Sequence, residues 1–114
     1  MYVLTGLALL LAPEWFYWNI GYYPPFNRHY AGDMGTAQTA LGVGMLLAAW
    51  APYRNGALIL TAAIAAVLHA GNHLFDALTS GGPLLAWLAG EWPLILAAVL
   101  LLAIWRLVGA TRPA

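Results

Sequence analysis

Charged side chains are too scarce in this sequence to cover a water-facing surface. The 114 residues include four basic and four acidic side chains, or 7% of the chain, whereas soluble domains carry roughly 25%. Apolar residues account for 63% of the chain. The composition therefore predicts an integral membrane protein, and the length predicts a single domain.

The balance of charges and the lack of cysteine exclude several function classes. The formal net charge is zero, and no basic stripe could follow a phosphate backbone, so a nucleic-acid partner is not expected. Without cysteine the chain cannot form disulfides, thiolate nucleophiles or cysteine-ligated zinc and iron–sulfur sites. The only serine, Ser80, falls in a predicted turn. We therefore predict no catalytic residues.

Four apolar segments approach the roughly 20 residues needed to cross a hydrocarbon core of about 30 Å. The first is predicted to be a retained helix and not a cleaved leader, because no basic stretch precedes it and bulky residues follow Pro13. Asp33 and Asn55 are predicted as N-caps of the second and third spans, and Pro93 is placed in the first turn of the fourth. The predicted spans are residues 2–20, with an interruption at Pro13-Glu14, 34–50, 57–78 and 92–108.

The connections complete the predicted fold, an all-α integral membrane four-helix bundle. A rigid aromatic loop, residues 21–30, joins the first two spans. Only residues 51–56 join the second and third, which should therefore be antiparallel neighbours. Gly81-Gly82 is predicted to stop the third helix, and residues 82–90 to form a segment in the membrane interface.

The basic residues predict the orientation of this bundle. Four spans place both termini and the 51–56 link on one side of the membrane. That side holds Arg54, Arg106 and Arg112 and no acidic residue, whereas the opposite side holds Arg28 alone. Because positive charge concentrates in cytoplasmic loops, both termini are predicted to be cytoplasmic and the aromatic loop to face outward.

The polar residues are predicted to gather at the outer end of the bundle. Four of them recur on the third helix at i, i+3, i+4 and i+7, so they share an arc about 100° wide, while the opposite face is bulky and suited to lipid. The second helix adds a face of small and polar residues that permits close packing. The cluster comprises Glu14, Arg28, His29, Asp33, Gln38, His69, Asn72, His73, Asp76 and Glu91.

Three interpretations of this cluster remain open. It is a structural network if Arg28 pairs with a carboxylate and the histidines are hydrogen-bonded. It is a metal site if His69, His73 and Asp76 act together, since imidazole and carboxylate ligands suit zinc, copper or iron. It is an organic-ligand pocket if a quinone or a lipid headgroup fits between the aromatic side chains of the outer end.

Short motifs in the first half of the chain carry a resemblance to a known family. They are residues 11–17 (LAPEWFY), 24–30 (PPFNRHY) and 32–35 (GDMG). These motifs resemble small bacterial four-helix membrane proteins, broadly of the DoxX-like type, in which an Asn-x-His loop and an acidic residue lead into the second helix. The resemblance implies a multi-pass protein of the bacterial inner membrane. Some relatives are described as oxidoreductase or quinone-linked subunits, but no catalytic motif carries over to this sequence.

Two functions follow as expectations. The first is an accessory or assembly subunit of a larger membrane complex, because the chain is small, has minimal loops and offers small-residue helix faces for packing. Its partners would be membrane lipid and other membrane subunits or further copies of the chain. The alternative is a membrane protein that binds a metal, a quinone or a lipid at the histidine–carboxylate cluster.

Overall fold

A computed structural model describes residues 1–79 and 84–110, and every regular element in these ranges is an α-helix. The all-α prediction is therefore confirmed for the described part of the chain. Ser80, the Gly81-Gly82 stop and Arg112 lie outside it. The helices are α1 (Tyr2–Leu11), α2 (Pro13–Asn19), α3 (Arg28–Trp50), α4 (Gly56–Thr79) and α5 (Leu84–Ala110).

The predicted interruption of the first apolar segment occurs at Pro13, between α1 and α2. Proline has no N–H to donate to the preceding turn and disfavours a helical backbone in the residue before it. Ala12 accordingly takes a non-helical conformation, with φ −141° and ψ 57°. Its N–H still donates to Ala8 (2.9 Å), and its carbonyl accepts from the Phe16 N–H (3.0 Å). The interruption is thus confined to a single residue.

Helix α3 begins at Arg28, earlier than predicted, and its N-cap is Asn27. The Asn27 Oδ1 accepts a hydrogen bond from the Tyr30 N–H at 3.1 Å, and its carbonyl accepts from the Ala31 N–H at 3.0 Å. The prediction that Asp33 caps this helix is wrong, because residue 33 already lies more than one turn inside it. The last three residues of the predicted aromatic loop are therefore helical.

Helix α5 runs without a break from Leu84 to Ala110. Residues 84–90 therefore belong to the same helix as the predicted fourth span and are not a separate helix, and residues 82 and 83 lie outside the described part. The place of this segment in the membrane interface stays a prediction. Pro93 lies inside the helix and not in its first turn. It removes one N–H from the hydrogen-bond ladder, and the leucines and alanines on either side favour continuing the helix.

The chain divides into two compact units, residues 1–47 and 48–114. In the first unit, α1 and α3 approach closely at glycine. A Cβ on Gly6 would overlap Thr39 Oγ1 and would lie 2.6 Å from the Thr39 nitrogen and 2.9 Å from the Gly35 carbonyl oxygen. Beside this contact, the Thr5 hydroxyl donates to Gln38 Oε1 at 2.8 Å. The small, polar face predicted for the second span thus packs against the first.

In the second unit, most buried side chains are small, apart from Ile59 and Leu101, and most large ones are exposed. Ala62, Ala63 and Ala66 of α4 are buried, with Ala98 of α5. The bulky face that the sequence predicts for α4 is exposed, with exposed fractions between 37% and 67%. Its exposed residues are Ile64, Val67, Leu68, Leu74 and Phe75.

Two helical segments of the second unit could cross a membrane, judged by length and composition. They are Gly56–Thr79, which is α4, and Ala89–Ala110 within α5. Two of the four predicted spans thus have the length and apolarity that a membrane helix needs, and the four-span bundle stays a prediction. Helix α3 has 23 residues but is more polar, and α1 has only 10.

Replacing Asn27 by alanine should lower the free energy of unfolding by about 1 kcal/mol, because the Tyr30 N–H loses its side-chain acceptor. Asn27→Asp keeps an acceptor and should retain most of the stability. Asp33→Ala is the matched control in the same helix and should have a smaller effect. Thermal unfolding of the purified variants measures the difference. Equal losses at positions 27 and 33 would contradict a cap at Asn27.

Gly35→Ala should destabilise the first unit by roughly 1–3 kcal/mol through overpacking. The new Cβ would lie 2.9 Å from the Gly6 carbonyl oxygen, a backbone atom that cannot rotate away. Gly32→Ala is the control in the same helix, because no atom lies within 4 Å of its Cβ position. That change should be neutral or stabilising by up to about 1 kcal/mol. Melting temperatures that fall equally for both variants would rule out the close contact between α1 and α3.

Candidate functional site

Part of the predicted polar cluster comes together between the C-terminal part of α4 and the N-terminal part of α5. His73 Nδ1 lies 3.2 Å from Glu91 Oε1, which joins the two helices. His73 Nε2 lies 3.0 Å from His69 Nε2, one turn earlier in α4. Glu91, His73 and His69 therefore form a continuous chain of polar contacts, called the histidine chain below.

One arrangement of protons satisfies both contacts while both imidazoles are neutral. His73 Nδ1–H donates to the Glu91 carboxylate, which leaves a lone pair on His73 Nε2. His69 then donates its Nε2–H to that lone pair. A protonated His73 would also be compatible with the two contacts, because both of its nitrogens would then donate and His69 Nε2 would accept. In either state the carboxylate of Glu91 fixes the orientation of the His73 ring.

The histidine chain lies at the surface of its unit. The side chains of His73 and Glu91 are 35% and 29% exposed, and His69 is more exposed still. The two rings are tilted by 53°, with their centroids 4.7 Å apart. These side chains are therefore not sealed between α4 and α5.

The predicted metal set of His69, His73 and Asp76 is only partly assembled. The two histidines meet, but Asp76 Oδ2 accepts a hydrogen bond from Asn72 Nδ2 at 3.3 Å. Asn72 lies four residues earlier on the same helix, within easy reach of that carboxylate. In the described residues no group of three or more His, Asp or Glu side chains could hold a metal ion. The carboxylate beside His73 is Glu91, from the neighbouring helix.

The other predicted residues lie in the first unit. His29 Nε2 and Asp33 Oδ2 are 3.5 Å apart on α3, and both side chains are well exposed. Glu14 and Arg28 are also exposed, and no ion pair joins Arg28 to Glu14 or Asp33 in the part of the chain that the structure describes. Convergence of these residues with the histidine chain stays a prediction.

An aromatic cluster in the first unit is centred on Tyr17, a residue that the sequence analysis did not single out. Tyr17 is 8% exposed, and its ring centroid lies 5.0 Å from those of Trp18 and Tyr22 and 5.1 Å from that of Phe26. Tyr23 and Tyr30 point outward and are largely exposed. These rings fix the loop after α2 against that helix. The run Trp15-Phe16-Tyr17-Trp18 signals aromatic packing, but it does not show which ring is central.

Comparison of the chain with protein-family models, curated proteins and solved structures finds no match. The resemblance to DoxX-like proteins therefore stays a prediction. The histidine chain is the most specific chemical feature among the described residues.

The contact between His73 and Glu91 should contribute measurably to the packing of α4 on α5. In a double-mutant cycle of His73→Ala and Glu91→Ala, we expect a coupling energy of about 0.2–1 kcal/mol, as for partly exposed pairs. A cycle of Asp76→Ala with Glu91→Ala is the control and should show no coupling. Denaturant unfolding of the natural chain, the two single variants and the double variant of each cycle measures both values. Equal coupling in the two cycles would mean that Glu91 has no specific partner.

Proposed function

We propose that the chain is a multi-pass integral membrane protein. The observation that carries the proposal is that large apolar side chains lie mostly outside and small residues mostly inside, which is the reverse of the usual arrangement in a soluble protein. In the described part thirty large hydrophobic side chains are exposed, whereas most buried residues are alanine or glycine. Soluble proteins rarely expose apolar surface on this scale, because it drives association in water. Lipid tails match that surface, and small residues let membrane helices pack closely.

The proposed arrangement is a four-helix bundle with both termini in the cytoplasm. Helices α1 and α2 together would form the first span, followed by α3, α4 and α5. The last three have 23, 24 and 27 residues, or roughly 34–40 Å at 1.5 Å per residue, enough for a core of about 30 Å. The bacterial inner membrane is the expected location, by the resemblance to DoxX-like proteins.

Hydrogen bonding within the helices supports this environment. Each threonine hydroxyl in the described ranges lies 2.7–3.1 Å from a carbonyl oxygen one turn earlier in the chain. Asn19 and Asn55 likewise donate to carbonyls four residues before them. In a membrane, polar groups must find partners within the protein, and these side chains find them locally.

The role that we propose is that of an accessory subunit in a larger membrane complex. The described connections between helices are short, residues 20–27 and 51–55, so little of the chain lies outside the helices. Such a chain would act through its lateral helix faces, against lipid and against other membrane subunits or further copies of itself.

A second candidate function, ligand binding, is favoured by the depth of the histidine chain. His69 lies 13 residues from the start of α4, about 20 Å along the helix, and Glu91 lies 15 residues, about 22 Å, from Arg106. If the helices begin at the cytoplasmic surface, these groups fall inside the outer part of the hydrocarbon core. Ionisable groups at that depth are costly and mark functional sites. The ligand would be a metal ion, a quinone or a lipid headgroup.

Single-cysteine labelling tests the membrane proposal, because the natural chain has no cysteine. Tyr23→Cys should react with a membrane-impermeant maleimide in intact spheroplasts. Pro52→Cys and Ala110→Cys should react only after the membrane is permeabilised. The protein should also remain in the membrane after alkaline carbonate washing and be released by detergent.

Recovery of the protein in the soluble fraction would overturn the membrane proposal, and labelling of positions 23 and 110 from the same side would overturn the four-span arrangement. The accessory role is tested in the same membranes by mild detergent extraction. A defined partner in constant ratio supports that role, and a solitary monomer contradicts it.

A further inference from the structure

Two imidazole nitrogens of α4 converge on one point at the surface. His69 and His73 are four residues apart, so their side chains leave the helix on the same face. Both rings present Nε2 to each other, and these two atoms lie 3.0 Å apart. A proton shared between the nitrogens explains this contact, and so does a cation bound by both.

The separation of the nitrogens is close to that in a metal chelate. Zinc binds histidine nitrogen at about 2.0–2.1 Å in tetrahedral geometry, which places two ligand nitrogens about 3.3 Å apart. The observed 3.0 Å would therefore open by only a few tenths of an ångström. Small rotations of two partly exposed side chains can supply that change without moving either helix.

Glu91 provides the second, independent observation. Its carboxylate lies on the Nδ1 side of His73, so the Nδ1 proton is held there and the Nε2 lone pair points away from Glu91, toward His69. Metal-ligating histidines usually donate their other ring N–H to a carboxylate or carbonyl, which fixes the tautomer and raises the basicity of the ligand. Glu91 stands in that relation to His73, and it comes from a different helix.

We propose that His69 and His73 chelate one divalent transition-metal ion through their Nε2 atoms, with Glu91 orienting His73. Imidazole suits zinc, copper and nickel among the divalent ions. On binding, the ring proton of His69 moves from Nε2 to Nδ1, so the histidine remains neutral. Water or a group from a second molecule takes the remaining coordination positions. Asp76 is left out of the proposed ligand set, because its Oδ2 accepts from Asn72 and the described residues hold no group of three side chains placed to bind one ion.

This inference deepens the second candidate function and names its ligand class. The test uses the full chain, freed of metal with a chelator and reconstituted in lipid nanodiscs. Titration with Zn²⁺ is followed by calorimetry, and Cu²⁺ is followed by its electron paramagnetic resonance spectrum. We expect one ion per chain, or one per two chains if a second copy completes the site, and nitrogen hyperfine coupling from the two imidazoles of each chain that binds the ion.

The variants separate the proposed ligands from their neighbours. His69→Ala and His73→Ala should each weaken Zn²⁺ binding at least tenfold. Glu91→Gln should weaken it by roughly 10- to 100-fold, as loss of an orienting partner does. His29→Ala and Asp76→Asn are the controls and should bind Zn²⁺ as the natural chain does. Size-exclusion chromatography and the helical circular dichroism signal verify that each variant is folded.

Three results would overturn the inference: no saturable binding, binding unaffected by the two histidine variants, or an equal loss in Asp76→Asn. The outcome is independent of the membrane proposal. A chain that is labelled with the expected topology but binds no metal would support the membrane proposal and contradict the metal site. A chain that is recovered as a soluble protein loses the membrane proposal, whatever its metal content.

Discussion

The structure depends on the close approach of helices at residues that have almost no side chain. Gly6 lets α1 lie against Gly35 and Thr39 of α3 at distances that a methyl group would prevent. In the second unit, alanines occupy three of the four buried positions described in α4, and Ile59 occupies the fourth. Dispersion between closely spaced backbones then holds the helices together, and it does not require large apolar side chains inside.

Most large apolar side chains consequently lie on the outside, where they favour contact with apolar surroundings. Leu68 and Phe75 of α4, for example, are 67% and 63% exposed. Polar side chains are mostly satisfied within their own helix, as the threonines show. The histidine chain differs because its carboxylate and its imidazoles come from two helices, so the contact between His73 and Glu91 forms only when α4 and α5 are in register.

The sequence was most informative about properties that depend on one helix at a time. The break at Pro13 and the bulky face of α4 depend on local backbone chemistry or on helical spacing, and they are found as predicted. Helical spacing also placed His69 and His73 on one face of α4, where their rings meet. The start of α3 was missed because Asn27 precedes polar residues without apolar periodicity. The continuity of α5 was missed because Pro93 was given more weight than the helix formers around it.

The partner of His73 shows the limit of such reasoning more clearly. Asp76 follows His73 by three residues, and this spacing made it the expected carboxylate partner of His73. In the structure Asp76 instead accepts a hydrogen bond from Asn72, which lies one turn earlier in α4. Glu91 reaches His73 from another helix. Its position there depends on the rotation and the axial shift of α5 against α4, which no periodicity within either helix reveals. Convergence of the first unit's polar residues on this site stays a prediction for the same reason.

The continuity of α5 links the two ends of the second unit. Glu91 and Arg106 belong to one helix, which continues through Pro93 although that residue leaves one carbonyl without its usual N–H partner. A rigid-body rotation of α5 would turn Trp105 and Arg106 together with Glu91. The helix axis thus connects the histidine chain to residues about 22 Å away at the other end of α5.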